Sequence, residues 1–158
     1  MPIPTKLKDI VKRVPLLVPL LSLAKGMLDR MAFRDSASYW EQRYRAGDDS
    51  GAGSYGRLAE FKAEVINDFI RSHSVGSAVE FGCGDGNQLG YLQVPAYIGF
   101  DVSDKALDIC RARFSKDPSK QFRKMSDYCG ETAEMALSLD VIFHLVDCLN
   151  EIKWLLPL

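Results

Sequence analysis

The stretch Val79-Glu80-Phe81-Gly82-Cys83-Gly84-Asp85-Gly86 decides the fold of this chain. A short run with a β-branched centre, Ser77 to Phe81, meets three alternating glycines. That is a strand entering a tight turn. Glycine turns sharply at no steric cost and leaves no Cβ between the backbone and an approaching ligand. Glu80 places a carboxylate just before the turn, where it can pair with an amine directly or through water. A second strand, Tyr97 to Phe100, closes on Asp101. A carboxylate at that strand end can accept two hydrogen bonds from ribose hydroxyls.

The rest of the pattern is helix and strand in alternation. Ser36 to Arg45 is aromatic and charged and reads as a helix, and Ala46 to Gly56 as a glycine-rich loop. From Tyr55 to His73, Leu58, Phe61, Val65 and Phe69 fall at helical spacing, with Ile66 and Ile70 widening the stripe. Asn87 to Gln93 is a short helix. Ser103 caps another that carries Leu107, Cys110 and Phe114 on one face and breaks at Asp117-Pro118. Gln121 to Met125 is a weaker third strand, and Ala136 to Leu139 a fourth, ending near Asp140. The expected fold is α/β, a Rossmann-like open and mainly parallel sheet with helices on both faces. Ligands of such sheets sit at the carboxyl ends of the strands.

Composition narrows the partners. The chain has 158 residues, 47% hydrophobic and 26% charged, enough for one globular domain with a core. Its formal charge is −1, so no global basic excess points to a nucleic acid. Cys83, Cys110, Cys129 and Cys148 form no CxxC pair, and His73 and His144 complete no zinc spacing. No metal is expected, and the thiols suit a reducing cytosol. Residues 1–35 form a separate basic and apolar appendage. Lys6, Lys8, Lys12 and Arg13 precede the apolar run 14–24, which contains Pro15 and Pro19 and ends at Lys25. Three readings of it stay open: packing on the domain or a partner, weak contact with a membrane surface, or an export signal.

The glycine loop also excludes two nucleotide motifs. The dinucleotide fingerprint G-x-G-x-x-G fails, because Asn87 or Leu89 stands where its last glycine belongs. No lysine occurs between Gly76 and Phe100, which rules out a P-loop. Gly51-Ala52-Gly53-Ser54-Tyr55-Gly56 does match the fingerprint, but it follows Asp48-Asp49-Ser50 and not a strand, so it is rejected as a dinucleotide site. The surviving pattern suits a ligand with an amino acid tail and a ribose but no phosphate.

Glu80 to Gly86 resembles the first motif of class I S-adenosylmethionine-dependent methyltransferases. Tyr97-Ile98-Gly99-Phe100-Asp101-Val102-Ser103 resembles their second motif. Ala136 to Leu145 resembles their fourth-strand motif. The likeness runs from about Tyr39 to Asp147 and looks like a small bacterial group with no assigned substrate. It implies S-adenosylmethionine as cofactor, a small-molecule acceptor and a cytoplasmic protein. By position, it implies that Glu80, Gly82, Cys83, Gly84 and Gly86 hold the methionine portion. Asp101 holds the ribose, with Val102 against the adenine; Asp127 bonds the adenine amine, with Tyr128 beside it. Asp140 meets cofactor and substrate, and His144 acts as base. Tyr39, Tyr44, Ser54, Tyr55 and Arg57 are lid candidates. On the residues alone, Asp101 as a helix-cap acid, Asp127 as a loop acid and His144 as a structural histidine stay open.

The resembled family has seven strands, against about four here, and residues 149–158 do not look like the continuation of the domain at 36–148. The expectation is a C-terminally truncated or frameshifted member, or one whose exposed sheet edge recruits a partner or a second copy. The alternative to a methyltransferase is a non-catalytic protein that keeps only S-adenosylmethionine binding.

Overall fold

The computed structural model describes residues 35–144; the N-terminal appendage and the tail after His144 lie outside the described residues. The described chain runs α1 (Ser36–Arg45), α2 (Gly56–His73), β1 (Ser77–Phe81), β2 (Ala96–Asp101), α3 (Asp104–Arg113), β3 (Lys120–Lys124) and β4 (Met135–Leu137). Short 3₁₀ turns lie at Ala52–Ser54, Gln88–Tyr91, Met125–Asp127 and Ile142–His144. The piece expected as a helix after the glycine loop is thus a single 3₁₀ turn.

The four strands form one parallel sheet in the order β3-β2-β1-β4. Phe81 pairs with Phe100 at the carboxyl ends of β1 and β2, and Glu80 pairs with Leu137 of β4. The chain leaves β1 toward β2 on one side and meets β4 on the other. The strand order therefore reverses at β1, and a crevice opens above its end.

Local chemistry sets the helix limits. Asp35 caps α1 by accepting from Ser38 N at 2.7 Å. Ser103 caps α3 by accepting from Ala106 N at 3.1 Å, as the sequence predicts. The α2 helix ends at Ser74, in the left-handed region at φ 54°. The main core lies between the sheet and α2 and α3, where Ala63, Ile70, Tyr97, Leu107, Cys110 and Phe122 are buried together. On the other face Val79, Phe81 and Phe100 form a smaller cluster, covered among the described residues by Met125, Tyr128 and Ala133. No described helix is long and apolar enough to cross a membrane.

One face differs from its sequence pattern. The stripe Leu58, Phe61, Val65 and Phe69 is exposed, Phe61 by 62%. The buried side of α2 is Ala59, Ala63, Asn67 and Ile70. The small alanines let the helix come close to the 3₁₀ turn at Gln88–Tyr91, where Ala59 O accepts from Gln88 Nε2, and Asn67 has its own partners in Tyr91 O and Gln93 N. Ile66 and Ile70, which widen the stripe, do pack into the core, so periodicity found the edge of the inward side but centred it wrongly, because large apolar residues outscore small ones in any such count.

Candidate functional site

A cavity of about 360 Å³ opens at the strand-order reversal. Glu80, Gly82, Cys83, Gly84, Asp85 and Gln88 form its β1 wall, and Asp101 and Val102 come from the end of β2. Leu139, Asp140, Val141 and His144 follow β4, while Trp40 and Tyr44 look in from α1. Of the residues singled out in the sequence, Glu80, Gly82, Cys83, Gly84, Asp101, Val102, Asp140 and His144 thus line one cavity. Gly86, Asp127 and Tyr128 do not. Asp127 is exposed at the end of a 3₁₀ turn, and Met125 from that turn reaches the cavity instead. Tyr128 is engaged edge-on by Phe81 and Phe100 at 5.3 and 5.4 Å.

The glycines make the sharp turn expected of them, and they also admit protein neighbours. Gly82, Gly84 and Gly86 all take positive φ, at 82°, 56° and 72°. The space a Cβ would fill belongs to protein neighbours rather than to ligand: Val141 above Gly82, Ser50 and Tyr44 above Gly84, Cys110 and Phe114 above Gly86. The loop is thin so that four other segments can close on it. Gly82 and Cys83 donate to Phe100 O at 2.7 and 3.0 Å, and Gly84 N donates to Asp101 Oδ2 at 2.9 Å. Ser103 N donates to the other Asp101 oxygen, also at 2.9 Å. Each carboxylate oxygen has a second lone pair, so Asp101 keeps acceptor capacity toward the cavity.

Burial sets the electrostatics. Glu80 is 2% exposed and accepts the Tyr97 hydroxyl at 2.5 Å. Burial pushes its pKa up to about 7, against the opposing effects of the Tyr97 bond and of Lys62. Burial likewise pushes Asp101 up to about 6, opposed by its backbone donors. Cys83 and Cys110 are free thiols, and a hydrogen bond between them together with burial pushes the Cys83 thiol well above its ordinary value, which disfavours the thiolate. His144 packs edge-on to Trp40 at 5.2 Å. Partial burial there holds its pKa below the ordinary value, against the pull of Asp140.

Asp140 stands in the left-handed region at φ 58°, a costly conformation for a residue with a side chain. Lys62 of α2 forms an ion pair with it, and Gly53 passes so close that a Cβ there would strike the carboxylate. Sequence reasoning did not find Lys62: no local motif marks it, since α2 precedes the glycine loop and meets Asp140 only through the fold. Trp40 and Asp85 were also passed over. Asp85 lies inside the quoted motif and could have been read as the latch that it is. It accepts from Ser50 N at 3.0 Å and from the Tyr55 hydroxyl at 2.8 Å, while its own N–H donates to Ser50 Oγ at 3.0 Å. Asn87 Nδ2 adds a bond to Ser54 O at 2.7 Å. Of the lid candidates, Tyr44, Ser54 and Tyr55 therefore close on the glycine loop. Tyr39 and Arg57 are exposed.

This sheet order, with a glycine loop after β1 and an acid at the end of β2, is the class I S-adenosylmethionine-dependent methyltransferase fold. The magnesium protoporphyrin IX methyltransferase of Synechocystis, solved with bound S-adenosylmethionine, matches with a TM-score of 0.50 and 14% identity, over 70% of this chain and 64% of that one. An amino pentose methyltransferase from Micromonospora echinaspora, also with S-adenosylmethionine bound, matches with a TM-score of 0.45 and 22% identity, over 54% of this chain and 38% of that one. An O-methyltransferase from Bacillus cereus in complex with S-adenosylhomocysteine gives 0.45 and 12%, over 65% and 53%. The chain thus spans less than two thirds of each of these proteins. No protein-family model matches it, and no curated protein does.

Proposed function

We propose that the chain binds S-adenosylmethionine in this cavity and serves methyl transfer to a small-molecule acceptor. The observation that carries the reading is the convergence of two buried carboxylates, Glu80 and Asp101, on one cavity at the strand-order reversal. A buried acid with a raised pKa is costly unless it meets a donor or a cation. The cofactor's ammonium and ribose hydroxyls are such donors, and the residues present fit it.

Bound S-adenosylmethionine supplies a methyl group on a sulfonium, open to in-line displacement by a lone pair of the acceptor. The chain's own part is positioning. Glu80 holds the amino acid end in its ionised form, and Asp101 orients the ribose with Val102 beside the base. Trp40 and Tyr44, stacked at 5.8 Å, shield the acceptor side from water together with Val141 and Leu139. Asp140, held by Lys62, aligns an acceptor O–H or N–H. His144, neutral near pH 7, takes the proton released.

Titration calorimetry with S-adenosylmethionine and S-adenosylhomocysteine tests the binding claim. Binding of both in the micromolar range is expected, and no heat from either at high micromolar concentration would sink it. Turnover to S-adenosylhomocysteine tests the transfer claim separately. Binding without turnover across a broad acceptor panel would favour a protein that holds the cofactor without catalysis.

A further inference from the structure

Leu58, Phe61, Val65 and Phe69 of α2 are all exposed. At about 100° per residue they fill an arc of about 80° on the helix. The buried side of α2 has two flanks. On one, Asn67 bonds to Tyr91 O of the 3₁₀ turn. On the other, Ile66 packs into the same core as Met135 and Leu139, and Lys62 pairs with Asp140 just past β4. The apolar stripe comes next after Lys62 on that flank, so it overhangs the outer side of β4.

That side of β4 is open. Among the described residues β4 pairs with β1 alone and ends the sheet. Edge strands are commonly guarded by lysine, proline or an inward-pointing charge. Residues 133–139 contain no lysine and no proline, and their one charged residue, Glu134, is engaged by Gly76 N.

One symmetry operation closes both gaps. A two-fold axis normal to the sheet, beside β4, pairs β4 with its mate in antiparallel fashion and keeps both α2 helices on the same face. The buried side of α2 shares a core with Ala78 of β1 and Leu137 of β4. A helix over that seam stands about 5 Å from the axis and about 10 Å from its mate, the spacing of packed helices. Charge fits the same arrangement. Arg57 and Asp68 lie exposed on the outer rim of the stripe, at its two ends. An antiparallel mate sets Arg57 of each copy within about a turn of Asp68 of the other, whereas a parallel mate would set like against like.

We propose that this face is the interface of a two-fold dimer of this chain, with β4 paired to β4 and α2 packed on α2. The four side chains expose on the order of 400 Å² per copy, about half of one partner's share in a standard interface. The paired edges add to it, and the expected dissociation constant is in the tens of micromolar. The dimer is independent of the cofactor reading.

Sedimentation velocity from about 2 to 200 µM tests it. The wild-type mass should rise from one chain to two and stop there, and exchange of the outward β4 amides should slow over the same range. Val65→Glu, at an exposed position near the middle of the stripe, should stay a single chain at 200 µM. Arg57→Asp alone should weaken the dimer at least 5-fold by placing it against Asp68, and adding Asp68→Arg should restore it. At a few micromolar, where the chain is single, substitutions in the stripe should leave stability unchanged. A wild type that stays a single chain at 200 µM overturns the proposal, as does association that continues past two. A Val65→Glu variant that dimerises like the wild type overturns it too. So do β4 amides that ignore concentration, and a charge swap that restores nothing; these two measurements decide the matter even where Val65→Glu fails to fold.

Discussion

Replacing Glu80 with Gln should stabilise the empty protein while weakening its ligand binding, and the stabilisation should depend on pH. Glu80 is buried, and its folded-state pKa is about 7 against an ordinary 4.5. Between those two values the folded state holds a proton that the unfolded state has lost. Stability therefore falls as pH rises through that window and levels off above it. At about 1.4 kcal/mol per pH unit, the carboxyl costs about 3 kcal/mol at pH 8 and only about 1 kcal/mol at pH 5. Glutamine carries no titratable proton and can still accept the Tyr97 hydroxyl, so these figures are upper values for the gain. Urea denaturation of both proteins, without ligand, at pH 5 and pH 8 reads the difference directly. The expected result is a gain for Glu80→Gln at pH 8 that exceeds the gain at pH 5 by about 2 kcal/mol. Equal gains at the two pH values, or a loss at pH 8, would refute the claim that desolvation dominates at Glu80. A gain accompanied by at least 10-fold weaker S-adenosylhomocysteine binding would mark a group kept for function at the expense of stability.

Two further predictions test the local geometry. Gly84→Ala puts a Cβ at φ 56° against Ser50 Oγ and the Tyr44 hydroxyl; chemical denaturation should show a loss of about 2 kcal/mol or more, and amide exchange at Ser50 should speed up. On α2, Ala63→Leu should cost about 1–3 kcal/mol by overpacking, while Phe61→Ser should change stability by less than about 0.5 kcal/mol. Thermal melts ranking these two in the opposite order would show that the exposed face of α2 is the buried one.

Local signals carried most of the architecture. The span of α1, the strand Ser77–Phe81 and the Ser103 cap all follow from short-range chemistry, namely the phase of apolar residues, β-branching and a hydroxyl that meets a free N–H. Glu80 and Asp101 were legible for the same reason, since a strand end beside a glycine turn is a local event. Asp127 was not, because its assignment depended on where the short turn after β3 points. That turn presents Met125 to the cavity, a choice made by packing on the second face of the sheet.

The sequence by itself determined that β1 ends in a glycine turn bearing a carboxylate, that a second acid ends β2, and that helix and strand alternate around them. Only the tertiary structure decided what surrounds those acids. Lys62 meets Asp140, and Ser50 and Tyr55 latch onto Asp85, through contacts between residues 30 or more apart in the chain. The physical reason is range. Backbone conformation answers to neighbours within a few residues, whereas charge pairing and burial answer to whichever side chains the closed sheet brings together.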